Sequence, residues 1–105
     1  DLIVTPDGAY VDAYLFSFLI MRFEEIEWFQ VVQDSLDSLR IRLMAPAGIS
    51  RQRCDAIVER IHHHTGYPFR IEFEPFDRMP ESPTGKFRLC VSALSDIGTR
   101  HPVNP

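Results

Sequence analysis

The chain has 105 residues, is 45% apolar and 11% aromatic, and carries a net charge of −4. This suits one folded domain with a modest core and argues against a disordered chain. The acidic balance gives no support for a nucleic-acid partner met through a basic face.

In chain order, residues 1–11 read as a small hairpin. Leu2-Ile3-Val4 is a short strand, Thr5-Pro6-Asp7-Gly8 a turn, and Ala9-Tyr10-Val11 the return strand. Proline pre-sets its own φ, and Asp-Gly tolerates positive φ. Asp12 can cap a helix running to about Glu24. That helix is apolar on nearly all sides, from Leu15 and Phe16 to Phe23. Leu15, Phe18, Leu19, Arg22 and Phe23 share one face with core spacing, whereas Phe16 and Ile20 lie off it. Either the hairpin folds over Phe16 and Ile20, or they form a face for another domain or subunit. The second reading predicts a homodimer through helix 13–24.

Ile26 to Gln33 reads as a strand with Phe29 and Val31 on one face and Trp28 and Val32 on the other. After a turn at Asp34–Ser38, Leu39-Arg40-Ile41-Arg42-Leu43 alternates cleanly, the mark of a sheet with one wet face. Arg40 and Arg42 share that face, where they could hold an anion or simply face water or a neighbouring carboxylate. Ser50 caps a second helix with Cys54, Ile57, Val58 and Ile61 at core spacing, and Gly66 stops it. His62, His63 and His64 fall in its last turn. Consecutive helical residues point about 100° apart, so the three cannot share one metal, and they suit the negative end of the helix dipole. Arg70 to Phe76 is a third strand, with Ile71 and Phe73 inward. A proline-punctuated loop, an extended piece near Phe87 to Ser92 and a polar tail follow. The pattern predicts an α+β domain with helices packed on a small three-stranded sheet, preceded by the hairpin.

Cys54 and Cys90 are too few for a disulfide framework and fit a reduced, cytoplasmic setting. Cys54 falls on the apolar helix face; Cys90, in a late strand, could be exposed. No basic leader precedes the apolar residues, and Tyr14 to Met21 falls far short of the roughly 20 residues a membrane span needs. The chain starts at Asp1 without a methionine, as a processed product or an excised piece would. No triad, EF-hand or zinc spacing stands out. A Walker A loop would need a glycine where Pro80 stands and Ser or Thr after Lys86.

Pro80-Glu81-Ser82-Pro83-Thr84-Gly85-Lys86-Phe87-Arg88 contains two prolines, a glycine and the only lysine in the chain, whose other ten basic residues are arginines. Lysine is a compact point charge on a flexible stem, unlike the rigid arginine fork. An exposed turn can keep one lysine by chance. Alternatively, glycine lets backbone and ligand come close while the stiffened loop holds Lys86 over a phosphate or carboxylate.

This stretch resembles the closing motif of the adenylate-forming superfamily of acyl-CoA synthetases, adenylation domains and luciferases: proline, any residue, Thr or Ser, any residue, Ser or Thr, Gly, Lys. Asp1-Leu2-Ile3-Val4 followed by Gly8 resembles the hinge at which that family's small C-terminal domain begins. Trp28 to Gln33 with Leu39 to Leu43 is similar to the phenylacetate–CoA ligase-like branch. The resemblance covers about residues 1–94. The arginine that precedes the hinge aspartate in the family would fall before Asp1, and the helix after the hairpin is unusually aromatic.

The resemblance implies a mobile lid: 1–11 as hinge and hairpin, 12–94 as α+β core and 95–105 as polar tail, in a single domain 1–105. The larger N-terminal domain that binds ATP and the carboxylic acid is not in this chain. Lys86 would be the adenylation lysine, with Thr84, Gly85 and Arg88 in its nucleotide loop. Asp1 would be the hinge, and Gly8 would lie on the hairpin presented during thioester formation. The full enzyme would use ATP, Mg2+ and CoA, with no cofactor, metal, nucleic acid or membrane expected for the isolated domain, which should be inactive. Its partners would be the enzyme's own N-terminal domain and the carboxylic-acid substrate. The competing reading is a free-standing α+β ligand-binding or regulatory module without catalysis.

Overall fold

Residues 2–77 and 89–92 are described by the computed structural model. They form β1 (Ile3–Val4), β2 (Tyr10–Val11), α1 (Ala13–Ile20), β3 (Trp28–Ser35), β4 (Ser38–Met44), α2 (Arg51–Thr65), β5 (Arg70–Pro75) and β6 (Cys90–Ser92). The fold is α+β. β1 and β2 form the antiparallel N-terminal hairpin, and the main sheet has the order β5-β4-β3-β6. It has four strands rather than three, because the extended piece at Cys90–Ser92 pairs parallel to β3, with Val31 opposite Cys90. β3 and β4 are an antiparallel pair, and β4-α2-β5 is a crossover joining two parallel strands.

Alternation sets the two faces of this sheet. Phe29, Val31 and Gln33 of β3 and Leu39, Ile41 and Leu43 of β4 are buried on one face. Ile57 and Ile61 of α2 and Phe16, Leu19 and Ile20 of α1 join them in one core. The helices therefore cover one side. Arg40, Arg42 and Glu74 lie on the other, where register places Glu74 opposite Arg42.

Both helices begin as their residues dictate. The Asp12 carboxylate accepts from the Tyr14 and Leu15 backbone N–H groups, and the Ser50 side chain accepts from Arg53 N–H. These caps satisfy donors that the first helical turn leaves without partners. α2 ends at Gly66, whose φ of 73° is the left-handed conformation that favours glycine.

α1 departs from the sequence reading. It ends at Ile20, a turn before the expected Glu24. Phe16 and Ile20 are fully buried, whereas Phe18 is 58% and Tyr14 84% exposed. The face facing inward is thus Phe16-Leu19-Ile20, and the hairpin residues Ile3 and Val11 belong to the same core. Shortening the helix frees Phe23 to enter the core from the following turn, where Ile26 N–H donates to its carbonyl. The two residues that motivated a dimer through this helix are interior ones. Among the described residues, no helix is long and apolar enough to cross a membrane.

Candidate functional site

Lys86, Thr84, Gly85 and Arg88, with the rest of the Pro80–Arg88 motif, lie outside the described residues, as does Asp1. The points from which the motif-bearing segment departs and to which it returns are described. β5 continues into Phe76, whose N–H donates to the Leu43 carbonyl at 3.0 Å. The Arg42 guanidinium sits 4.9 Å from the centre of the Phe76 ring, an attractive cation–π placement. On the return, the Leu89 carbonyl accepts from Val31 N–H at 2.7 Å. Among the described residues β5 and β6 are the two edge strands of the main sheet, and in sequence they flank the segment carrying Lys86.

A cavity of about 700 Å³ opens at the β5 departure point. Leu43, Ile49, Phe73 and Phe76 supply apolar wall, and its charged lining groups are Glu74 and Asp77. Carboxylates repel phosphate, so the described lining is unsuited to a nucleotide's phosphates. The arginines on the sheet's outer face do not change this. Arg40 bonds both oxygens of Asp34 at 3.2 Å and Glu74 at 2.8 Å. Arg42 donates to Gln30 at 2.8 Å and lies 3.7 Å from Glu74. Of the two readings open for this pair, the carboxylate partners are the ones present. The Asp34 and Glu74 bonds also hold the Arg40 pKa above its ordinary value.

Gly8 is the one predicted site residue that is described. Its φ is 93°, it follows Pro6-Asp7, and its N–H donates to the Thr5 carbonyl at 2.9 Å. Thr5 N–H donates to Ala9 carbonyl at 2.8 Å, closing a tight loop with glycine at the position needing positive φ. The Thr5 hydroxyl donates to the Asp7 carboxylate and accepts from Ala9 N–H at 3.1 Å. The Thr5 bond, with help from Ala9 N–H, lowers the Asp7 pKa. The hairpin tip is thus held in one shape by its own side chains.

Gln33 was not singled out from the sequence. It is fully buried. Its Oε1 accepts from Val4 N–H at 3.0 Å, and its Nε2 donates to the Val4 carbonyl at 2.8 Å and the Leu36 carbonyl at 3.3 Å. The available signal was a polar residue at a core position of the Phe29-x-Val31-x-Gln33 alternation. A buried amide demands partners, so a tether to another segment could have been expected.

Two of the three histidines at the end of α2 bond backbone. A His62 ring nitrogen meets the Phe69 carbonyl at 2.8 Å, and His64 meets Arg60 carbonyl at 2.9 Å. Cys90, whose exposure the sequence left open, is 1% exposed, because β6 turns it to the helix-covered face beside Val31.

Among solved structures, the chain is similar to a domain of phenylacetate-coenzyme A ligase from Bacteroides vulgatus ATCC 8482, with a TM-score of 0.61 at 14% identity. The match covers 89% of this chain and 92% of that one, and at such low identity it speaks for a shared fold. No curated protein matches the chain. The model of the CapK C-terminal domain family matches residues 3–93. That match runs from the first strand to just past β6, over nearly the whole sequence, and the chain therefore belongs to the CapK C-terminal domain family.

Proposed function

We propose that this chain is the C-terminal lid of an ATP-dependent acid–CoA ligase, which adenylates a carboxylic acid and then forms its thioester. The observation that carries the reading is the Pro80–Lys86 motif, with its single lysine, in a chain of a C-terminal domain family. The fold shared with a domain of a phenylacetate-coenzyme A ligase supports the same class.

In this reading residues 1–11 form the hinge and hairpin, 12–94 the lid core and 95–105 a polar tail. A larger N-terminal domain is the lid's partner and holds ATP, Mg2+ and the acid. The described residues fit that division of labour, since Arg40 and Arg42 are partnered by carboxylates and the cavity beside β5 has an acidic lining. ATP, when bound, supplies the adenylyl group that activates the carboxylate, and CoA supplies the thiol that accepts the acyl group. Lys86 contributes a positive charge to the carboxylate and phosphate oxygens as negative charge shifts between them. Gly85 and Thr84 shape its loop, and Arg88 follows it. Gly8, on the preformed hairpin tip, belongs to the surface presented in the thioester step.

ATP–pyrophosphate exchange tests the proposal. In the enzyme carrying both domains, Lys86→Ala should slow exchange by about 10²- to 10³-fold, the scale of one lost transition-state charge partner. Thioester formation from supplied acyl-adenylate should fall much less. An exchange rate equal to that of the unaltered enzyme would overturn the assignment.

A further inference from the structure

We propose that the buried Gln33 side chain is a clamp that locks the N-terminal hairpin onto the core sheet. Residues 3–11 are thereby held in one register against β3.

The hairpin needs such a device. β1 and β2 form a sheet of their own, and no strand ladder among the described residues joins them to the four-stranded sheet. A two-stranded hairpin is marginal by itself in water. Apolar burial of Ile3 and Val11 holds it near the core, but such contacts are non-directional and do not fix its register. Gln33 supplies direction. Its amide presents an acceptor and a donor side by side, as a peptide group does, and Val4 offers the complementary N–H and carbonyl. The second amide hydrogen goes to Leu36 in the β3–β4 turn. One side chain thus ties together hairpin, central strand and turn.

The orientation of the amide follows from chemistry. Reversing it would set an NH2 group against Val4 N–H and an oxygen against the Val4 carbonyl, replacing two bonds with two repulsions. The position is set by β3, which places Gln33 on the core face before the register shift between Gln33 and Ser35. A leucine could fill the same space, but it would leave the Val4 groups without these partners. Detaching the hairpin would likewise strip a fully buried amide of its two bonds to Val4. The clamp is independent of the ligase reading, because it can be measured whether or not the chain turns over a substrate.

Residue-resolved amide hydrogen exchange tests it on the unaltered chain and on Gln33→Leu and Gln33→Met. In the unaltered chain the Val4 amide should be protected to within about tenfold of the β3 and β4 amides. In either variant, Val4 and Thr5 should exchange at least about tenfold faster while β3 and β4 amides keep their protection. Rapid exchange of Val4 in the unaltered chain overturns the proposal without any variant. So does unchanged Val4 exchange in the variants. Equal loss of protection across the whole domain, or failure of both variants to fold, would make Gln33 a general core residue and overturn the clamp.

Discussion

Burial pushes the Cys90 thiol up to about 11. A folded-state pKa above the ordinary 9.0 favours the neutral thiol in the native protein. The resulting stability is fully present below pH 9 and is lost as pH rises through 11. The loss should be about 3 kcal/mol. Urea titrations at successive pH values should show it in the unaltered chain, and the excess loss should be absent from Cys90→Ala. The same residue marks how far local pattern reaches. An extended piece near Phe87 to Ser92 was legible, but the direction of the Cys90 thiol was not. Burial came from pairing with β3, far away in sequence. Lys86 is the opposite case. Its motif is contiguous and needs no tertiary information to be noticed, and its test by pyrophosphate exchange stands apart from stability.

At the scale of elements, the caps behave as their residues demand. Asp12 accepts from two N–H groups at 3.0 and 3.3 Å. Asp12→Ala should therefore cost about 1 kcal/mol, measurable as a lower denaturant midpoint with unchanged m-value. α1 also separates interior from surface aromatics within two residues. Phe16→Ala should cost about 3 to 5 kcal/mol, because the ring is fully buried and leaves a cavity. Phe18→Ala should cost about 1 kcal/mol or less, since the ring is mostly exposed and meets the Arg22 guanidinium at 5.0 Å. Comparable costs for the two would contradict the assignment of faces. Periodicity alone could not choose between them, because both are phenylalanines on a helix apolar nearly all round. The choice was made by where the helix stops and by the hairpin residues Ile3 and Val11 in the same core.

At the scale of the molecule, the described residues place one layer of helices on one face of a four-stranded sheet, and a separate hairpin is tied to it through Gln33. The ion pairs on the opposite face are partly exposed and tie neighbouring strands more than they stabilise the fold. α2 is anchored differently. Arg53 holds both oxygens of Glu25, at 2.6 and 3.0 Å, and lies 4.7 Å from the centre of the Phe23 ring. That contact joins the turn after α1 to the start of the second helix. Gln33, the pivotal polar residue in the exchange experiment, was visible in sequence only as a polar interruption of an apolar face.

The sequence by itself determined the α+β class, the hairpin turn with its glycine, both N-caps, the Gly66 stop, the alternation of β4 and β5 and the lysine motif. Each of these rests on interactions within a few residues or on a contiguous string, so local chemistry suffices. Only the tertiary structure decided the fourth strand, the inward side of α1, the burial of Cys90, the carboxylate partners of Arg40 and Arg42, and the tether at Gln33. Those depend on contacts between segments remote in sequence, whose meeting is set by the packing of the whole core.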